Sequence, residues 1–306
     1  MTAYDPELVG HLRDELREEA EPTILKTLDD ACRLAREWNV QIDGWLPGGT
    51  CSLILTGLRE GTEVVLRAPL LPWEQIASLP VMQAFSQHGG IPILASDPAS
   101  GVALVPRLRP GTSLGEFEDT DDEAIDIFVG VALKLRGAQG QGRSVETYFV
   151  DLKDRVLPAS LRPDLPADAA RLAKRLFETV PPLKLLHGDL HHFNILKDGN
   201  EWIAIDPEGG AGDPAYEPSA FLRNPTGTLR DHPDLAGLTR RRIIRFAEGL
   251  GDPLERIWGW ALVRTLLSAS DVPNSSGETW TKVAGVLDEL GNEFASPLIE
   301  NWGKSS

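Results

Sequence analysis

Cysteine is almost missing from this chain: Cys32 and Cys51 are the only two in 306 residues. Two thiols in so long a chain build no disulfide framework, and they lack the paired spacing of a zinc knuckle. A reducing compartment fits them. Positive charge is also short, with 30 Lys and Arg against 46 Asp and Glu and a formal net charge of -16. Phosphate backbones repel such a chain, so nucleic acid is not an expected partner unless a local basic patch overrides the sum. The one tight basic cluster, Arg240-Arg241-Arg242, reads as a solvated helix face. No apolar run approaches the roughly 20 residues needed to span a bilayer. The stretch Met1–Glu7 is acidic and lacks the apolar centre of a secretory signal. Together these deficits predict a cytoplasmic protein with no membrane partner. There is no internal repeat and no long low-complexity tract.

What remains is an ordinary globular balance, 42% hydrophobic and 25% charged, in a length that suits one large domain or two lobes. Asp5 before Pro6, with Leu8, Leu12 and Leu16 at helical spacing, predicts a first helix that Pro22 interrupts. Thr23 then caps a second, carrying Leu25, Leu28, Cys32 and Ala35 on one stripe. Leu53–Thr56 and Glu63–Arg67 read as paired strands across a Glu60-Gly61-Thr62 turn. A short helix over Glu74–Gln87 follows, then strands at Ile91–Leu94 and Val102–Val105, then a connector from Arg107 to Thr112. Beyond it helices dominate. Thr120 with Glu123 is a capping box, and further helices are expected over Glu146–Leu157, Ala167–Thr179, Leu235–Gly249, Leu254–Ser268 and Thr279–Leu290. Trp258 and Trp260 lie on different faces of one of these and read as core. The pattern is α+β and bilobal, with a small β-rich N-terminal lobe over 1–105 and a larger helical lobe over 106–306.

One segment stands apart: His187-Gly188-Asp189-Leu190-His191-His192-Phe193-Asn194, followed by Ile195-Leu196-Lys197, Asp198-Gly199-Asn200 and Trp202-Ile203-Ala204-Ile205-Asp206-Pro207. Asp-Gly between two apolar runs is a strong hairpin signal. A hairpin returns the chain, which predicts that Asp189 and Asn194 meet Asp206 at its open end. Two carboxylates and an amide oxygen are hard ligands suited to Mg²⁺, which shares its shell with substrate phosphates. A carboxylate left free of the metal can take a proton from an attacking hydroxyl, the division of labour in phosphoryl transfer. A zinc reading of His187, His191 and His192 finds no third ligand at helical spacing, and Gly188 argues for a loop.

The His187–Asn194 segment resembles the catalytic loop of aminoglycoside phosphotransferases, relatives of protein kinases. Ala204-Ile205-Asp206-Pro207, Gly212-Asp213-Pro214-Ala215-Tyr216, Leu222-Arg223-Asn224-Pro225 and Arg107-Leu108-Arg109-Pro110-Gly111-Thr112-Ser113-Leu114 are similar, more particularly, to the aminoglycoside/hydroxyurea kinase branch of streptomycin 6-kinase type. The resemblance runs from about Gly48 to Ser268. It implies a protein-kinase-like fold, ATP and Mg²⁺ as cofactors, and a small-molecule acceptor hydroxyl. It assigns Asp189 as base and Asn194 and Asp206 as metal ligands. The linker Pro106–Leu108 would meet adenine, with Pro106 and Leu108 at its ends. Gly48, Gly49, Thr50 and Ser52 would cover the phosphates. Asp213 and Glu217 are candidates for acceptor contact, although Gly212-Asp213-Pro214 reads equally as an N-cap with a first-turn proline. The negative net charge suits a cationic acceptor such as an aminocyclitol antibiotic.

Two positions depart from the family pattern. Arg67 stands where a lysine pairs with ATP phosphates, and an arginine fork is not a lysine point charge. Ser78 falls where a helix glutamate orients that lysine, with Glu74 the nearest acid. Three other readings follow: a metabolic sugar or amino-sugar kinase of the same fold, a kinase-like nucleotide-binding module with weakened catalysis, and a metal-dependent phosphohydrolase. The last needs more carboxylates or histidines than the segment supplies.

Overall fold

The computed structural model describes residues 20–46, 51–117, 120–149, 151–179, 181–271, 275–300 and 302–303. The helix expected around Leu8–Leu16 and the phosphate cover at Gly48, Gly49 and Thr50 lie outside them. The chain divides into two compact units, one of Met1–Gly111 with Lys197–Glu208, the other of Thr112–Leu196 with Gly209–Ser306. Lys197–Glu208 groups with the first unit rather than with its sequence neighbours.

In the first unit, helix α1 (Ala20–Glu37) runs through Pro22. A proline in the first turn has no intrahelical bond to lose, so the expected interruption does not occur. The buried stripe is Ile24, Thr27, Ala31, Leu34 and Ala35, while Leu25 is 49% exposed, so the helix faces its core one residue away from the expected stripe. This stripe packs on an antiparallel sheet of β1 (Val40–Trp45), β2 (Ser52–Arg59), β3 (Thr62–Pro69), β4 (Ala95–Asp97) and β5 (Val102–Pro106) in the order β1-β2-β3-β5-β4. Strand β1 was not legible because Asp43 and Gly44 break its pattern, and the register slips between Ile42 and Gly44. Ile91–Leu94 is not a strand; Ala95–Asp97 pairs with β5 instead. Helix α2 (Pro72–Phe85) begins with a first-turn proline and carries Ser78, fully buried.

The segment expected as a connector contains strand β6 (Pro110–Ser113). The expected hairpin is present as β8 (Ile195–Asp198) and β9 (Glu201–Ala204), in the strand order β6-β8-β9. Its turn is made by Gly199, at φ +56, and Asn200. A two-residue hairpin loop needs such left-handed backbone, which glycine adopts without strain. The hairpin joins the first unit because Ile91 N–H donates to Ala204 O at 2.9 Å and Ala204 N–H donates to Gly89 O at 2.9 Å.

The second unit holds α3 (Asp121–Leu135), α4 (Leu165–Glu178), α5 (Pro218–Leu222), α6 (Thr226–Arg230), α7 (Leu235–Leu250), α8 (Leu254–Asp271) and α9 (Ser275–Phe294). The capping box on α3 forms in both directions: Glu123 N–H donates to Thr120 Oγ1 at 3.3 Å, and Thr120 N–H donates to Glu123 Oε2 at 2.9 Å. The helix expected over Glu146–Leu157 is instead two short 3₁₀ turns, Val145–Tyr148 and Leu152–Asp154. Pro158 biases the residue before it away from helical backbone. Phe128, Phe221 and Phe246 form an edge-to-face trio with centroids 5.0–5.3 Å apart, and Trp258 and Trp260 are fully buried, as expected. Arg242 is not on a solvated face. It is buried and donates to Asp121 at 2.6 Å, tying α7 to the start of α3. Among the described residues no helix is long and apolar enough to cross a membrane.

Candidate active site

Strand β7 (Lys184–Leu186) pairs antiparallel with β10 (Gly210–Gly212) and delivers the chain into the loop His187–Asn194. Gly188 takes φ +86 there, a backbone that side-chain-bearing residues rarely adopt. Its N–H points at Glu217 Oε1, 3.4 Å away. The Asp189 carboxylate is about one-third exposed and is held at both oxygens. Arg223 Nη2 donates to Oδ1 at 3.2 Å, and His191 Nε2 lies 3.3 Å from Oδ2. Phe193 N–H donates to His191 Nδ1 at 3.1 Å, so the imidazole proton sits on Nε2 and faces the carboxylate. Burial pushes the Asp189 carboxyl up, but the His191 hydrogen bond and the charges of Arg223 and Arg264 outweigh it and hold the group well below the usual carboxylate range.

Asn194 is bound to the same loop. Its Nδ2 donates to Asp189 O at 2.9 Å, which spends the amide nitrogen inside the loop. His192 stacks on Phe221 with centroids 3.7 Å apart, and burial with nearby Arg242 and His191 holds it neutral, far below the usual histidine range. His187 is buried, and its carbonyl accepts from Gly209 N–H at 2.9 Å. No cluster of three His, Cys, Asp or Glu able to hold a metal occurs among the described residues.

On the first unit, Asp206 follows β9 at φ +56, a left-handed backbone costly for a residue with a side chain. Arg67 on β3 braces it: Nε and Nη2 donate to Asp206 Oδ1 at 2.9 and 2.6 Å, and Nη1 donates to Ser78 Oγ at 3.2 Å. The two departures noted from the resemblance therefore meet, a neutral hydroxyl beside the guanidinium. Both Arg67 bonds to Asp206 converge on Oδ1. Ser52 is buried at the start of β2, opposite Pro69. Pro106 ends β5 and Leu108 is buried just beyond it.

Asp213 and Glu217, the candidates for acceptor contact, are both buried. Asp213 is 1% exposed, and its carboxylate accepts from Arg256 Nε at 2.6 Å, Trp260 Nε1 at 2.8 Å and Ala215 N–H at 3.0 Å. The capping reading of Gly212-Asp213-Pro214 is the one the structure shows. Glu217 lies buried beneath the His187–Asn194 loop. Burial pushes its carboxyl up to about 7, against the backbone N–H groups of Gly188 and His187 and the charge of Arg136. Sequence reasoning missed Arg223 and His191 as partners of Asp189. Arg223 sits in the Leu222-Arg223-Asn224-Pro225 segment already singled out, but nothing in one dimension shows what it touches.

The raised Glu217 pKa has a testable sign. A carboxyl at about 7 in the fold and at its ordinary 4.5 in the unfolded chain favours unfolding increasingly as pH rises between those values, because the unfolded chain ionises first. Glu217→Gln, neutral throughout, is expected to be more stable than the parent at pH 8 by roughly 3 kcal/mol, with most of that gain gone at pH 5. Urea midpoints at the two pH values decide it; the same difference at both would refute the buried-acid assignment.

Comparisons with known proteins place the chain in a family. Residues 37–275 match the family model described as aminoglycoside/hydroxyurea antibiotic resistance kinase. The streptomycin 6-kinase of Streptomyces glaucescens is 32% identical over 249 residues, covering 77% of this chain and 80% of that protein. The hydroxyurea phosphotransferase of Kitasatospora aureofaciens is 32% identical over 193 residues, 59% of this chain and 56% of that one. Among solved structures, a choline/ethanolamine kinase family protein from Mesorhizobium loti superposes with TM-score 0.64 at 18% identity, covering 89% of this chain and 98% of that one. A thermostable mutant of aminoglycoside phosphotransferase APH(4)-Ia, in ternary complex with ADP and hygromycin B, gives TM-score 0.55 at 17% identity, covering 87% and 98%. At such identities these structures establish the kinase-like α+β fold. The family model and the streptomycin 6-kinase carry the rest: this chain belongs to the aminoglycoside/hydroxyurea antibiotic resistance kinases.

Proposed function

We propose that this kinase transfers the γ-phosphoryl group of ATP to a hydroxyl of a streptomycin-type aminoglycoside. The observation that carries the reading is the clamped Asp189 in a loop that also binds Asn194, in a chain about one-third identical to streptomycin 6-kinases from two Streptomyces species. Asp189 accepts a hydrogen bond from the acceptor hydroxyl and aims its oxygen. As that oxygen bonds to the γ-phosphorus and the bond to the ADP oxygen breaks, the proton passes to Asp189. Asn194 and Asp206 are assigned to Mg²⁺, which when bound neutralises charge on the phosphates. Arg67 contributes positive charge on the nucleotide side, and Ser52 begins the strand after the phosphate cover. In the linker, Pro106 has no N–H and Arg107 N–H already donates to Glu63 O at 3.2 Å, so Leu108 N–H is assigned as donor to adenine and the Pro106 carbonyl as acceptor. An ATP donor and a chain with only two cysteines suit action in the cytoplasm.

The test is a panel of streptomycin, hygromycin B, hydroxyurea and simple sugars with Mg²⁺ and γ-labelled ATP. Label on streptomycin at one phosphate per molecule is expected. Label only on a sugar would establish the metabolic kinase instead. A nucleotide-induced rise in Tm with no labelled product would establish the weakened module.

A further inference from the structure

We infer that Arg223 is a positioning residue for phosphoryl transfer, acting through the carboxylate of Asp189. The inference rests on Asp189 being the base. Arg223 follows α5, and its side chain is buried, 6% exposed, while the carboxylate it holds is 32% exposed. The cation thus lies behind the reacting group and does not meet the acceptor. Its guanidinium is anchored from two long helices. Nε donates to Ser268 Oγ on α8 at 3.2 Å, and the Trp280 ring on α9 lies 5.8 Å from the guanidinium carbon. Trp280 Nε1–H also donates to Arg223 O at 3.0 Å, fixing the backbone beneath the side chain. The next residue is fastened as firmly. Asn224 Nδ2 donates to Ala220 O at 2.9 Å, and Asn224 O accepts from Arg242 Nη1 at 3.0 Å.

With His191 on Oδ2 and Arg223 on Oδ1, rotation of the Asp189 carboxylate about its Cβ–Cγ bond is stopped at both ends. Of these two partners Arg223 carries the rigidity. Its donor is carried on α5, α8 and α9, whereas His191 is part of the loop itself. A base set by its own loop alone would have the freedom of that loop. A base set by three helices keeps the direction in which an acceptor hydroxyl must approach. A purely structural ion pair would not need to end on the one loop carboxylate left partly open to solvent. Misplacement of a reacting group by about 1 Å can lower turnover about 10²-fold without any change in what the nucleotide touches.

The experiment compares Arg223→Met, Arg223→Lys and Asp189→Asn in the full chain. It uses the acceptor identified by the labelled panel, streptomycin in the expected case, and measures kcat, both KM values and Tm. Arg223→Met is expected to lower kcat about 10²-fold with KM for ATP within about twofold of the parent. Arg223→Lys, which keeps a donor toward Asp189 but loses the planar fork, is expected to recover about tenfold of that loss. Should Arg223→Met fail to fold, Arg223→Lys decides alone: a kcat about tenfold below the parent at unchanged KM for ATP supports the inference, and a parental kcat overturns it. A folded Arg223→Met protein with parental kcat likewise overturns it, as does a loss confined to KM. Asp189→Asn separates the two levels. Parental turnover there would defeat the base assignment itself, whereas near-complete loss beside an unaffected Arg223→Met would defeat only the positioning role.

Discussion

Asp189→Asn is expected to lower kcat about 10³-fold while the rise in Tm with Mg·nucleotide persists. General-base assistance from a positioned side chain is worth about 10²–10⁴-fold, and asparagine keeps the shape while losing the ability to take a proton. Asparagine is a better probe here than alanine. Removing the whole carboxylate would leave the buried Arg223 with neither counter-charge nor acceptor, whereas asparagine gives up the charge but keeps an acceptor oxygen. Loss of activity in Asp189→Ala would therefore mix chemistry with unfolding. In Asp189→Asn the amide oxygen can still accept from Arg223 or His191, so the loop geometry survives. Turnover and the nucleotide-induced thermal shift, measured on the same preparation, separate the two contributions. A variant with parental turnover would remove Asp189 from the reaction.

The loop and the hairpin were legible in the sequence because their geometry is local. Gly188 and Gly199 mark left-handed backbone, Asp-Gly marks the turn, and Asn194 reaches Asp189 within one loop. The capping box on α3 was legible for the same reason: both partners lie three residues apart. What failed was long-range or depended on edges. The stripe on α1 was misplaced by one residue because Leu25 and Ile24 are equally apolar, and only the sheet decides which is buried. Strand β1 is an edge strand whose Asp43 and Gly44 look like a turn until Thr56 Oγ1 is found donating to Asp43 at 2.6 Å. The partners of Asp189 and Asp206 were hidden by distance along the chain, Arg223 being 34 and Arg67 139 positions away. Arg67 and Ser78 stood out in one dimension only as departures from a pattern. Their bond to each other, and the bond from Arg67 to Asp206, turn the two departures into one joint change, a guanidinium fork that reaches a carboxylate and a hydroxyl at once.

The second large effect concerns stability. Asp213 is a candidate for acceptor contact on the resemblance, yet its carboxylate is enclosed by Arg256, Trp260 and the start of a 3₁₀ turn. Arg256 is itself buried and donates to Thr179 Oγ1 at 2.9 Å and Leu176 O at 2.8 Å, so it is fixed to α4 whether or not Asp213 is present. Asp213→Ala would leave that guanidinium charged and uncompensated in the interior, and would strip Trp260 Nε1 of its acceptor. A loss of about 3–5 kcal/mol is expected on that ground. The charge, not the missing volume, dominates: the carboxylate is small, and an arginine does not deprotonate to relieve itself. Hence Arg256→Leu added to Asp213→Ala is expected to restore part of the stability, since replacing both partners of a buried pair by apolar groups is far less destabilising than removing one. Urea midpoints of the parent, the two single variants and the double variant measure this directly. The acceptor KM of folded Asp213→Ala should stay within about twofold of the parent, because a side chain 1% exposed has no surface to offer a ligand. An acceptor KM raised tenfold in a variant of parental stability would return Asp213 to the acceptor site and refute its place as the counter-ion of Arg256.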